Sequence, residues 1–482
     1  MKLEKLFDDI VLEESVGNMD IEIESIHLDS REVESGGLFF AYKGYDLDGH
    51  DYIDSAIEAG AIAIVCEEIP ETKVEEITYL KLANVQEQLP KLASVFYGNP
   101  SERLKLVGVT GTNGKTTIAT LGYELTRLFG EKAGLLSTIE NKVDDRVYKT
   151  KNTTSDIIST NKLLREMVDA GVKYAFMEVS SHGIEEGRIE GLNFDIGIFT
   201  NLTLDHLNYH KTMENYGRAK KKFFDDLSDS ATSIVNIDDE WGRKMVEDTQ
   251  SKIMGYSVAN QDADFLADIK NEDISGTDFT VDGVEINSKI AGKFNVYNML
   301  AIYATGKVLG LGEKEDVAKK CSELTGASGR FETVIGESGV IGIVDYAHTP
   351  DAIENVLQTI NNTKEDSARI ITVVGCGGGG NTDKRPEIAR ISKKLSDMVI
   401  LTSDNPRDED PVEIIEMMKA GIKDFDNVLE IINREEAIKT GLEKAEPGDI
   451  VLVAGKGHED YQEIKGVRNH FCDMEVVEKY LS

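Results

Sequence analysis

Residues 104–117, LKLVGVTGTNGKTT, restrict the possible folds more than any other stretch of this chain. The run 104–109 is mostly apolar and rich in Val and Leu, which predicts a buried parallel strand. It leads into a loop containing Gly111, Thr112, Asn113, Gly114, Lys115, Thr116 and Thr117. Glycines let a backbone turn tightly and present its N–H groups to an anion. Lys115 has the reach for terminal phosphates, and the Thr116 hydroxyl suits Mg²⁺. Helical spacing over 118–128 then aims a helix N-terminus at the same anion. The loop reads GxxGKT rather than the strict G-x-x-x-x-G-K-[ST], because Val109 stands at the first glycine position. Gly, Lys and two Thr in one strand–loop–helix context favour a phosphate loop over a Gly-rich turn with no ligand.

A chain of 482 residues exceeds a single core, and two to four domains are expected. Residues 1–98 read as a small α/β unit, with strands over 21–28, 37–41 and 61–65 and a helix over 52–59. Ser30 and Arg31 follow the first of these strands, where a nucleotide-sugar diphosphate contact and a structural turn are equally open readings. The turn cluster 97–101, YGNPS, marks a boundary. Over 99–330, strands at 174–179, 196–200 and 233–236 alternate with helical segments, which predicts a doubly wound parallel sheet. Ligands of such sheets lie beyond the carboxyl ends of the strands. Glu178 ends one strand ahead of Ser180-Ser181-His182, and Asp205-His206 follows another. A carboxylate and an imidazole at neighbouring strand ends, facing a phosphate loop, suit Mg²⁺. The three-lysine run 220–222 reads on its own as a solvated basic face. A polar stretch at 262–283 predicts a short β excursion, and 292–298 opens a helix.

Residues 331–482 repeat the α/β pattern, with strands over 340–344, 369–374, 398–401 and 450–453. Their ends carry Asp345-Tyr346-Ala347-His348, the glycine run 375–380, Asp404-Asn405-Pro406-Arg407 and Gly455-Lys456-Gly457-His458-Glu459. Gly375, Gly377 and Gly380 fit a dinucleotide fingerprint, although a glycine run meets that spacing easily. His182, His206, His210, His348 and His458 all fall in or near strand-end clusters. The net charge of −35 argues against a nucleic-acid partner and requires that positive charge be gathered at any ATP site. No apolar run reaches membrane-span length, and the N-terminus lacks a signal-peptide core, so a cytoplasmic protein with no membrane partner is expected. Four scattered cysteines suggest neither a disulfide framework nor a zinc site.

Taken in order, GTNGKTT, NTTS (152–155), MEVSSH, TNLTLDHLNYH, Ala219-Lys220, GKFNVYN, GRFE, DYAHTPDAI, KRPEIA, DNPR and GKGHEDYQ resemble the motifs of the Mur ligases, the ATP-dependent amino-acid-adding enzymes of peptidoglycan synthesis. The resemblance is to the branch that adds a diamino acid to a UDP-N-acetylmuramoyl dipeptide. It implies three domains: UDP-substrate binding over 1–98, a central P-loop-type ATP-binding ligase domain over 99–330, and a Rossmann-like amino-acid-binding domain over 331–482. By the same resemblance, Lys115, Glu178, His206 and Lys220 are catalytic. Thr116, Glu178, His206 and a carbamoylated Lys220 are implied as the Mg²⁺ set. Asn295, Arg330 and Asp345 join the phosphate loop in binding ATP. Ser30, Asn152, Thr153, Thr154, Ser180, Glu186 and Arg188 correspond to contacts with the UDP substrate. Asp404, Asn405, Pro406, Arg407, Gly455 and Glu459 correspond to the amino-acid pocket.

The DNPR stretch implies the acceptor. Arg407 can clamp a carboxylate in two parallel hydrogen bonds, as the distal carboxylate of meso-diaminopimelate requires, and lysine-adding relatives lack this Arg. Four positions depart from the family pattern. Gly380 stands where an Arg usually helps to hold the amino acid, and Lys384 or Arg385 is the expected substitute charge. Asn208 replaces an Asp, Ser155 a Pro, and Glu186 a Gln of the UDP-substrate site. The implied reaction is ATP-dependent ligation through an acyl phosphate, by a monomer acting on small molecules. The competing readings are the same ligation with L-lysine or another amino acid, and a nucleotide-dependent binding protein that hydrolyses ATP without ligating.

Overall fold

Strands that bury alternate residues in two separate cores build each unit of the molecule. The computed structural model describes residues 1–44, 47–150 and 152–481. In the first unit, five strands lie in the order Glu14–Val16, Thr78–Lys81, Ala61–Cys66, Gly37–Ala41, Ser25–His27. All pairs are parallel except the one at the Glu14–Val16 edge. Leu38, Phe40, Ala63 and Val65 face one core, and Phe39, Ala41, Ile64 and Cys66 the other. That is the period-two split of a sheet covered on both faces. The strand expected over 21–28 is shortened to Ser25–His27. Its first half is drawn instead to the chain start, through Leu3 N–H to Ile21 O at 2.9 Å and Ile23 N–H to Met1 O at 2.8 Å.

The central sheet has nine strands, in the order Phe265–Leu266, Lys252–Ser257, Thr232–Asn236, Ile196–Phe199, Lys105–Thr110, Tyr174–Glu178, Ala133–Leu136, Asn141–Val143, Arg146–Tyr148. The first seven run parallel, and the last two form an antiparallel extension. Val107, Val109, Phe176 and Ile198 pack on the helices Lys115–Leu128 and Lys293–Val308, through Ile118, Leu121, Val296 and Leu300. Leu106, Met177 and Phe199 pack on the opposite face against Leu164, Phe223 and Phe224 of the helices Ile157–Asp169 and Met213–Asp225. The sheet is therefore doubly wound, as expected. Lys105–Thr110 lies between Tyr174–Glu178 and Ile196–Phe199, so the loops leaving these three strands converge. The β excursion is a three-stranded antiparallel sheet of Asp268–Asp273, Gly276–Val281 and Val284–Ser288.

The last unit carries six strands, in the order Glu332–Ile335, Ile341–Asp345, Ile450–Ala454, Ile370–Val374, Met398–Leu401, Val428–Glu430, parallel except at the first edge. Its two faces are again separate cores, with Ile343, Ile370 and Leu452 in one and Val344, Ile371 and Val451 in the other. The helix after Ile370–Val374 begins only at Lys384, so the glycines at 375–380 form a long loop and do not open a helix as a dinucleotide fingerprint requires. Among the described residues, no helix is long and apolar enough to cross a membrane.

Candidate active site

The phosphate loop has the shape its glycines permit. Gly111 has φ +150°, and a Cβ there would lie 1.8 Å from Thr200 Oγ1. Gly114 has φ +89°, and its Cβ would lie 2.6 Å from Asn298 Oδ1. Neither position accepts a side chain. The end of the neighbouring strand braces the loop: Thr112 N–H donates to Asn201 O at 2.8 Å, and Asn113 N–H to Asn201 Oδ1 at 2.9 Å. No side chain caps the helix Lys115–Leu128, which leaves its first-turn N–H groups for an anion. Lys115 Nζ folds back on its own loop, donating to Gly111 O at 3.0 Å and Thr112 O at 2.8 Å. Burial pushes its pKa down, against the pull of Glu178 and Asp205.

Glu178, at the end of its strand, is fully buried. Its Oε2 accepts from Thr116 Oγ1 at 2.9 Å, and its Oε1 from Thr138 N–H at 2.8 Å. Two hard oxygen donors side by side suit a divalent cation that keeps several of its waters. Among the described residues, no group of three or more His, Cys, Asp and Glu is arranged to hold a metal. His206, at φ +54°, turns its ring onto Asp205, with Nε2 to Oδ2 at 3.4 Å. Burial pushes the imidazole pKa down, and Lys115, His182 and Lys220 add to this against Asp205. Lys220 is 1% exposed, so the solvated face expected of the run 220–222 holds only for its neighbours. Lys221 pairs with Asp225 and Asp248, and Lys222 with Glu190. Lys220 Nζ instead donates to Gly111 O at 2.8 Å and sits 4.7 Å from the centre of the Tyr216 ring. Burial, reinforced by Lys115, drives its pKa well below the ordinary value.

These groups line a cavity of about 600 Å³ between the central and last units. Arg330 donates from Nη2 to Thr116 Oγ1 at 3.1 Å and meets the last unit across the gap, with its guanidinium 4.3 Å from the Tyr346 ring centre. Arg330 Nε is buried without a hydrogen-bond partner, a donor free for an acceptor in the cavity. Asp345 accepts from Phe331 N–H and Ala347 N–H, both at 2.7 Å, and burial raises its pKa against the pull of Arg330. Asn295 lines the same cavity and ties to Asn298 at 3.0 Å. Thr138, Asp205, Tyr216 and Asp351 also line it, though the sequence did not mark them as site residues. Asp205 stood in a strand-end motif and was legible there. Thr138 follows the short strand Ala133–Leu136 and carried no such signal.

Thr153 and Ser180 reach this cavity as well. Thr154 Oγ1 joins the two segments by donating to Glu178 O at 2.8 Å while accepting from Ser180 N–H at 3.0 Å. Arg188 Nη1 donates to Thr154 O at 2.8 Å, and its other arm pairs with Glu186. Glu186, in place of the expected Gln, thus anchors Arg188. Asn152 is exposed, and Ser30, in the first unit, opens a short turn capped by Asp29; neither lines the cavity.

The residues expected to take the amino acid form a separate cluster outside the cavity lining. Asn405 donates from Nδ2 to Glu459 Oε2 at 2.7 Å and accepts from Lys456 Nζ at 3.1 Å. Gly455, at φ +121°, lies against Asp404, whose Oδ2 would be 2.5 Å from an added Cβ. Arg407 follows Pro406 at φ +53°, with an exposed side chain that donates to Gly378 O. The substitute charge expected from Lys384 or Arg385 is not there. Arg385 is buried and bound to Glu409 through both nitrogens at 2.8 and 2.9 Å, and Lys384 lies 3.8 Å from Asp205 on the cavity side. Nothing lies within 4 Å of a Cβ built on Gly380.

Three family models match the chain in order: the Mur ligase family, catalytic domain over residues 22–97, the Mur ligase middle domain over residues 109–306, and the Mur ligase, glutamate ligase domain over residues 329–457. A UDP-N-acetylmuramoyl-L-alanyl-D-glutamate--2,6-diaminopimelate ligase of Phocaeicola vulgatus is 49% identical over 479 residues, 99% of each chain. The ligase of the same name from Parabacteroides distasonis is 50% identical over 469 residues, 97% of this chain and 96% of the relative. Among solved structures, a ligase of that name matches with a TM-score of 0.71 and 32% identity, over 100% of this chain and 98% of the other. The MurF ligase of Thermotoga maritima, in complex with ADP, matches in fold with a TM-score of 0.64 and 20% identity, over 95% and 97% of the two chains.

Proposed function

The chain belongs to the Mur ligase family, and on that premise we propose that it adds meso-diaminopimelate to UDP-N-acetylmuramoyl-L-alanyl-D-glutamate at the expense of ATP. The supporting observation is one chain, 49% identical end to end to ligases of that name, that sets a phosphate loop and a buried Lys220 in one cleft, with the DNPR cluster outside its lining. We draw its domain boundaries at 98/99 and 330/331, and we take it to be a cytoplasmic monomer acting on three small molecules.

A carboxylate is a poor electrophile, so amide synthesis needs activation. The γ-phosphoryl group of ATP passes to the D-glutamyl carboxylate, giving an acyl phosphate. The amine of the diamino acid attacks its carbonyl carbon, loses a proton and expels inorganic phosphate. Lys115 swings from the loop carbonyls to the β- and γ-phosphates, where the helix N–H groups also point. Arg330 offers its unpartnered Nε to the same phosphates and, through the Tyr346 ring, holds the last unit over them, which keeps water from the acyl phosphate. Thr116, Glu178, His206 and carbamoylated Lys220 would hold Mg²⁺. When bound, Mg²⁺ neutralises charge building on the transferring phosphoryl group. Thr153, Thr154, Ser180 and Arg188 would orient the muramoyl dipeptide beside Glu178. Asn405, Glu459 and Arg407 would take the incoming amino acid. Gly380 favours L-lysine as the second reading, since one cation of the usual diaminopimelate grip is missing.

A phosphate-release assay separates ligation from idle ATP hydrolysis. Release is expected only when UDP-dipeptide and amino acid are both present, and it should vanish in Lys115→Ala. Steady release from ATP alone would contradict the proposal.

A further inference from the structure

Outside the cleft, one element grips the acceptor segment without belonging to it. Strands Tyr461–Ile464 and Val467–His470 pair as an antiparallel hairpin. Its two-residue turn, Lys465 at φ +49° and Gly466 at φ +76°, has the positive dihedrals of a tight hairpin turn. The hairpin is not held by a core: Ile464 is 42% and Val467 59% exposed. His470 Nε2 ties the hairpin to Glu475 Oε2 at 2.8 Å and Lys456 Nζ lies 5.3 Å from the Tyr461 ring centre, while four further polar ties fall on one loop. Arg407 N–H donates to Glu463 O at 3.0 Å, and Lys465 N–H donates to Arg407 O at 2.8 Å, so both main-chain groups of Arg407 are fixed. Gln462 Nε2 donates to Asp404 O at 2.7 Å, and Glu463 N–H to Asn405 Oδ1 at 2.9 Å. Arg468 stiffens the hairpin, with Nε on Glu463 Oε2 at 3.0 Å and its guanidinium 4.4 Å from the Tyr461 ring centre.

Arg407 needs this support. Its φ of +53° is one that residues with a Cβ seldom adopt, and a neighbour must hold it there. A clamp of two hydrogen bonds on a carboxylate is lost if the guanidinium plane turns or shifts by about an ångström. We propose that the hairpin Tyr461–His470 is the positioning element of the acceptor pocket: by fixing the backbone of Arg407 it selects an amino acid with a distal carboxylate. This rests on the reading of Arg407 as that carboxylate's clamp.

The test is a double-mutant cycle read in steady-state kinetics. Gln462→Ala removes one tie from a half-buried residue, and Arg468→Ala loosens the hairpin from its exposed side, so both variants should melt with the wild type. Each should raise the KM for meso-diaminopimelate, by about tenfold in Gln462→Ala. The KM values for ATP and UDP-dipeptide, and the slow rate with L-lysine, should stay put. In an Arg407→Ala background, Gln462→Ala should add nothing, because it acts through Arg407. KM values that rise together for all three substrates, effects that add in the double variant, or variants kinetically identical to wild type would overturn the hairpin proposal alone. A wild-type enzyme that used L-lysine equally well would instead sink the diaminopimelate reading, and the selection by the hairpin with it.

Discussion

Two lysine ammonium groups, Lys115 and Lys220, meet at one backbone oxygen, the Gly111 carbonyl, at 3.0 and 2.8 Å. Burial lowers the pKa of both, and the neighbouring Lys115 adds to the effect on Lys220. A carbamate on Lys220 would set a negative charge beside Lys115, and a neutral buried amine is the form that attacks CO₂. Lys220→Ala should therefore lose most activity, and short carboxylates should restore part of it. Isotope-labelled bicarbonate should give a carbamate signal in wild type that the variant lacks; an active wild type without that signal would remove the carbamate from the site. The sequence run 220–222 did not reveal this by composition. Successive helical residues are turned by roughly 100°, so one lysine of three faces inward, and only the family resemblance singled it out. Gly380 offers the reverse experiment. The space around it is open, and its φ is not in the glycine-favouring region, so Gly380→Arg fits without strain. An added charged hydrogen bond is worth about 1.5–3 kcal/mol. Gly380→Arg should lower the KM for meso-diaminopimelate about tenfold or more in the kinetic assay, and leave that for ATP unchanged.

At the scale of elements, the site depends on strand ends that the cores hold in register. The runs of apolar residues marked those strands because burial on both faces leaves few polar positions. The pattern failed where the chain start captures half of an expected strand, as at 21–28, and where glycine spacing alone stood in for a helix start, as at 375–380. One supporting contact lies deep under the acceptor pocket. Arg434 grips Asp473 at 2.7 Å through both Nε and Nη2, neither side chain is exposed, and Nη2 also holds Ala454 O at 3.0 Å, next to Gly455. Removing one partner of such a buried pair usually costs about 3–5 kcal/mol, because the other charge is left uncompensated. Asp473→Ala should lower stability by that amount in denaturant unfolding, whereas an unchanged midpoint would show that Arg434 finds another partner.

Over the whole molecule, a few cations stand among the carboxylates of the cleft where the anionic substrates are proposed to bind. Lys115, Lys220 and Arg330 line the cleft, and Lys384 stands beside Asp205 at its wall, within a protein of net charge −35. The cleft is latched across the units by the Arg330 guanidinium, 4.3 Å from the Tyr346 ring centre, and by Asn113 on Asp351 at 2.9 Å. Asp351→Ala should loosen the latch and admit water, so that phosphate release outruns tripeptide formation; equal rates of the two would show that the contact does not guard the intermediate. The division into units and the residues at the strand ends were legible because motifs sit at the ends of buried strands. The latch was not, since Asn113 and Asp351 are 238 positions apart. The most direct test of the function is a panel of amino acids supplied with ATP and UDP-dipeptide, with the UDP-tripeptide product weighed by mass spectrometry. Tripeptide should form with meso-diaminopimelate by a wide margin over L-lysine, and Arg407→Ala should erase that margin. Equal product from L-lysine and meso-diaminopimelate in the wild type would contradict the assignment and leave DNPR as a structural turn.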